Sequence, residues 1–112
     1  MGKYSDRLRT ETRPQISDTF AEGERRPEQV CALGSLWGEG LVQKRDSWVP
    51  PREAMLLDSE LLPGESFSDR YPCSVGQCTA GLLHPGRMVV HLNDAHRFTF
   101  AQIADWLESI GL

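Results

Sequence analysis

Apolar residues recur at helical spacing near the end of the chain. Phe100, Ile103, Ala104, Leu107 and Ile110 form one stripe, with Asp105 and Glu108 facing the other way. Thr99 with Gln102 three residues on predicts a capping box, and Phe98 with Ile103 a hydrophobic staple. Gly111 is the stop signal. Trp106 lies on the flank of the stripe, where it either closes the core or contacts a partner. A shorter pattern, Val30, Leu33 and Trp37, predicts a buried helix near 27–37 that begins at Pro27 and ends at Gly38. Gly34 on that helix would let another backbone approach closely.

Between and before these segments the pattern thins. Residues 1–26 mix six Lys/Arg with five Asp/Glu around Tyr4, Leu8, Ile16 and Phe20. Such a stretch reads as a solvated arm, with at most a short helix opened by Ser5 or Asp6. Residues 39–72 are broken by Pro50, Pro51, Pro63 and Pro72, with a short helix from Pro51 to Leu57 and anchors at Trp48, Leu56, Leu57 and Phe67. The expected organisation is therefore an extended, irregular arm over 1–70 and a compact helical domain over 71–112. The expected fold class is mainly α.

Composition narrows the function. The chain has 112 residues and a net charge of −4, which suits one small domain and not a phosphate-binding surface. No apolar run approaches the roughly 20 residues of a membrane span. The start lacks the apolar core of a secretory signal. Three cysteines in such a chain point to thiols or metal ligands before disulfides.

The candidate chemistry lies in "CSVGQCTAGLLHPGRMVVHLNDAH", residues 73–96, which holds all three histidines. Cys73, Cys78, His91 and His96 follow the spacing C-x4-C-x12-H-x4-H. Two thiolates and two imidazoles are the donor set of a structural zinc finger. Leu82 and Met88 stand at the two apolar positions such a finger buries, and Pro85 stands where its helix would start. A full set of four protein ligands leaves no place for a reactive water, so the expected ion is structural Zn2+ and the protein no enzyme. His84 and Cys31 remain as substitute ligands, and a Cys73–Cys78 disulfide as the metal-free alternative. No nucleophile paired with a base and no H-x-E motif beside the cysteines is visible. DNA reading would rest on Arg87 and His84 alone, so a nucleic-acid-binding finger is the second reading.

"VVHLNDAHRFTFAQIADWLE", Val89 to Glu108, resembles the tail of a family of small proteins of bacteria, prophages and tailed bacteriophages, which carry a cysteine pair just upstream. "RPQ" (Arg13 to Gln15) and "CALG" (Cys31 to Gly34) are similar to further segments of that family. Phe98 replaces the usual Trp, and four residues separate the cysteines where two are commoner. The resemblance implies a phage or prophage provenance and no particular mechanism. The contrast between the compact end and the long, Pro-broken arm with isolated aromatic anchors points to a zinc-stabilised protein-interaction module. Its partner would be a phage capsid or tail protein, and its location the virion or otherwise the host cytoplasm. Trp37, Trp48, Phe67 and Trp106 are the expected partner contacts.

Overall fold

A computed structural model describes residues 2–45, 47–51, 62–63 and 69–112. Among them are four α-helices: α1 (Lys3–Arg9), α2 (Ala32–Trp37), α3 (Pro85–Asp94) and α4 (Phe100–Ser109). Six short strands accompany them: β1 (Ala21–Glu22), β2 (Gln29–Val30), β3 (Val42–Lys44), β4 (Ser47–Val49), β5 (Tyr71–Pro72) and β6 (Leu82–Leu83). The first four strands form an antiparallel sheet in the order β2-β1-β4-β3, and β5 pairs with β6 in a separate ribbon. The fold is thus mixed α/β. The expectation of a mainly α chain with a long irregular arm is overturned, because the described residues of that arm build α1, α2 and the larger sheet.

The reason lies in the sparse apolar residues of the charged N-terminal segment. Tyr4 and Leu8 stand four apart, share one face of α1 and are 3% and 1% exposed. They join Leu33, Met88, Val89, Leu92, Ile103, Ala104 and Leu107 in one core. Arg9 reaches across to Asp105 (2.7 Å) and Glu108 (3.1 Å) on the polar side of α4. The N-terminus of α1 is capped from the far end of the chain, since the N–H groups of Tyr4 and Ser5 donate to the main-chain oxygen of Leu112 (2.9 and 3.0 Å). Leu112 is placed by the end of α4. Gly111 sits at φ 86°, and the N–H groups of Gly111 and Leu112 return to Glu108 and Leu107, a Schellman stop.

The segment expected as one helix over 27–37 divides. Gln29–Val30 extends along β1, Cys31 caps α2 with its sulfur accepting from the Gly34 N–H (3.3 Å), and the helix spans only Ala32–Trp37. Gly34 meets the expected neighbour: a Cβ there would lie 2.0 Å from the Phe20 carbonyl oxygen. Thr99 and Gln102 form the capping box of α4, and Pro85 opens α3. A smaller core of Ala21, Val30 and Leu41 lies under the sheet, flanked by Trp37, Trp48 and Phe100. The expected helix from Pro51 to Leu57, with its anchors Leu56 and Leu57, lies largely outside the described residues.

Two buried polar junctions tie the N-terminal segment to the helices. Asn93, 0% exposed on α3, accepts from the Ala32 N–H (3.0 Å) and the Gln15 amide (2.8 Å). Its own amide donates to the Ile16 carbonyl (2.9 Å) and the Asp94 carboxylate (2.8 Å), so its polar capacity is filled. Gln15 also donates to the Phe98 carbonyl (2.7 Å). At the second junction Glu11, with a side chain 3% exposed, accepts from Arg13 (2.7 Å) and from the Ser35 hydroxyl on α2 (2.7 Å).

Candidate metal centre

The β5–β6 ribbon and α3 form a strand–turn–strand–helix unit that carries all four candidate ligands. Cys73 follows β5 directly. The chain then turns, with the Cys78 N–H donating to the Val75 carbonyl (3.2 Å) and Gln77 at φ 67°. After β6, His84 precedes α3 and its carbonyl accepts from the Met88 N–H (2.9 Å). His91 stands in the last turn of α3, and His96 lies just beyond its end. Arg97 at φ 56° reverses the chain, and the Phe98 N–H closes on the Leu92 carbonyl at 3.0 Å. A non-glycine residue in that region costs about 1 kcal/mol. Here it accompanies a reversal that leaves the His96 ring perpendicular to His91, with centroids 4.6 Å apart.

The four side chains converge. One donor atom from each of Cys73, Cys78, His91 and His96 lies within 4.8 Å of all the others. Cys73 Sγ is 3.5 Å from His96 Nε2, Cys78 Sγ is 3.3 Å from His91 Nε2, and the two Nε2 atoms are 3.0 Å apart. Zinc bonds of about 2.3 Å to sulfur and about 2.0–2.1 Å to nitrogen imply tetrahedral edges of about 3.6 Å (S–N) and about 3.3 Å (N–N). These three separations lie within a few tenths of an ångström of such edges and every other donor pair lies within 4.8 Å, so the residues are positioned to bind a metal ion. All four are half-buried, reachable by a small ion yet partly shielded from water.

The local electrostatics favour the uncharged form of two of the four groups, Cys73 and His91. Burial pushes the Cys73 thiol up, and the neighbouring Cys78 adds to it. Burial pulls the His91 imidazole down, as does the proximity of His96. A neutral imidazole is the ligating form, and a bound dication would reverse the balance at the thiol.

His84 and Cys31 are not in the cluster. Cys31 is 3% exposed and burial pushes its thiol up to about 11, so it behaves as a core residue and helix cap. One supporting residue is misplaced by the finger spacing. Met88 is fully buried as expected, but Leu82 is 59% exposed and Leu83 packs on the core in its place. The ribbon pairs Leu83 with Tyr71 and Leu82 with Pro72, so the inward face is one residue out of step with the expectation.

In comparisons with known proteins, no family model, no curated protein and no solved structure matches this chain.

The residues expected to touch a partner fare differently. Trp106 is 8% exposed and stands edge-on to Tyr71 at 6.0 Å, so it belongs to the core. Trp48 is half-buried, and its indole N–H donates to the Gly23 carbonyl (2.9 Å). Trp37 is half-buried between the two cores. Phe67 lies outside the described residues. Sequence reasoning missed Asn93, although a signal was present: it stands four residues after Val89, on the apolar side of α3.

Proposed function

We propose that this protein is a small, non-catalytic interaction module whose ribbon and third helix are locked together by one structural Zn2+. The convergence of Cys73, Cys78, His91 and His96 within 4.8 Å carries this reading. Two sulfurs and two imidazoles suit zinc, and four protein donors complete its usual structural coordination. Docking to another protein is supported by the apolar side chains left outside. Val42, on the outer strand β3, is 48% exposed, and Leu82 is 59% exposed beside exposed Pro72. The similarity of Val89–Glu108 to small phage and prophage proteins supports a capsid or tail protein as the partner. Among the described residues no helix is long and apolar enough to cross a membrane.

The unit shares its strand–turn–strand–helix order with nucleic-acid-reading fingers, which keeps that second reading in view. Against it, Arg7 and Arg13 contact Glu11, and Arg9 contacts Asp105 and Glu108, which leaves these three arginines less able to neutralise phosphates.

Native mass spectrometry of the purified chain with and without chelator, followed by copurification from its host, tests the proposal. One ion per chain and a stoichiometric protein partner are the expected results. A chain that carries no transition metal overturns the metal reading. Nucleic-acid retention that falls steeply with salt would replace the partner reading.

A further inference from the structure

We propose that Cys73 and Cys78 are a peroxide-reactive dithiol whose oxidation to a disulfide expels the metal ion, with Cys31 a bystander. The inference rests on the metal reading of the same site.

The geometry separates the sulfurs from the imidazoles. Both sulfurs come from one hairpin, on either side of a turn whose Ser74, Gly76 and Gln77 are exposed. Cys73 and Val75 rest against the core on one side of this turn, while a Cβ added at Gly76 at its tip would meet nothing within 4 Å, so the closing movement has room on the Gly76–Cys78 side. The two sulfurs lie no more than 4.8 Å apart. A disulfide needs about 2.05 Å, so the turn has to close by no more than about 3 Å. His91 does not follow that movement. His91 is fixed on α3, where Met88, Val89, Leu92 and Asn93 are each fully buried. Bridging the sulfurs therefore withdraws two of four donors and leaves two imidazoles, too few for a stable structural site.

The third thiol is excluded by its surroundings. Cys31 is 3% exposed and bonded to the Gly34 N–H, whereas Cys73 and Cys78 are half-buried and open to a small oxidant.

The oxidant is a hydroperoxide, hydrogen peroxide in the simplest case. One thiolate attacks a peroxide oxygen, the O–O bond breaks, hydroxide leaves and a sulfenic acid forms. The second thiolate attacks that sulfur, the S–S bond forms and a second hydroxide leaves. The two sulfurs lose two electrons to the peroxide, the hydroxides take up two protons to become water, and the dication departs hydrated.

The test begins with the full chain loaded with Zn2+, its metal content measured before oxidant is added. Hydrogen peroxide is then titrated in the presence of a chromogenic chelator, with intact-mass and peptide analysis of the product. One ion per chain should appear as two thiols disappear, and the metal-free chain should be lighter by two hydrogen atoms. The bridge should map to Cys73–Cys78, and a dithiol reductant with fresh Zn2+ should restore the starting state. The variant Cys31→Ser, which keeps a capping side chain on α2, should release its ion with the same dose dependence. An ion retained until the protein unfolds, sulfinic acid in place of the bridge, or a bridge to Cys31 would each overturn the inference and leave the metal reading intact. Absence of metal before oxidation would overturn the metal reading first, and this inference with it.

Discussion

Asn93 meets four groups at once: the Ala32 N–H, the Gln15 amide, the Ile16 carbonyl and the Asp94 carboxylate. Asn93→Leu would leave several of them buried without a partner, and we expect a loss of about 3 kcal/mol in urea unfolding. A loss below about 1 kcal/mol would show that water replaces the amide. Gly34→Ala should cost at least about 2 kcal/mol by the same measurement, since its methyl would overlap the Phe20 carbonyl and force two backbones apart. Glu11 sets an acid limit. Burial pushes its carboxyl up, but hydrogen bonds from the Arg13 side chain, the Arg13 backbone and Ser35 outweigh that and hold it at about 2, against 4.5 ordinarily. A depressed carboxyl stabilises the fold above its unfolded value. That contribution, on the order of 2 kcal/mol, is lost as pH falls from about 4.5 towards about 2. Unfolding of the native chain across this range should show the decline, and Glu11→Gln should flatten it.

Single elements differ in what supports them. The Cys/His spacing, the capping box at Thr99 and Gln102, and the proline that opens α3 were all legible in the sequence, because each is a local pattern within a few residues. The four-stranded sheet was not. Its strands are two or three residues long, too short for a period-two pattern, and β1 joins β4 only through contacts distant in sequence. The same length hid the step between Leu82 and Leu83. From spacing alone the metal is expected to hold up the C-terminal helix, yet Ile103, Ala104 and Leu107 of α4 join Tyr4 and Leu8 of α1 in the core. Cys78→Ser should therefore abolish metal binding and raise amide exchange in β5, β6 and the His96 end of α3, with α4 protected as before. Exchange mass spectrometry reads this directly, and loss of protection in α4 would restore the simpler view.

At the scale of the molecule, the N-terminal residues and the metal unit share one core. Arg13–Gln15, Cys31–Gly34 and His91–Asp94 are remote in sequence but meet around Asn93. These three segments are thus adjacent in space. A fragment of residues 69–112 supplied with Zn2+ would expose the faces that α1 and α2 cover. We expect it to bind an apolar dye and to show less helix per residue than the whole chain. Equal helicity without dye binding would show that the metal unit folds alone. The N-terminal part was unreadable for a physical reason: its few apolar residues are separated by charged ones, and only the distant partners Met88, Leu92 and Leu107 show that Tyr4 and Leu8 face inward.

The main-chain oxygen of Leu112 accepts from Tyr4 and Ser5, and a Cβ on Gly2 would lie 2.0 Å from that oxygen. Head and tail of the described chain therefore touch. A covalent loop of a few flexible residues would join them, and the backbone could be reopened at exposed Arg45, which lies between β3 and β4. Such a rearranged gene product would keep its helix pairings, its buried amide junction and its ligand quartet in a new linear order.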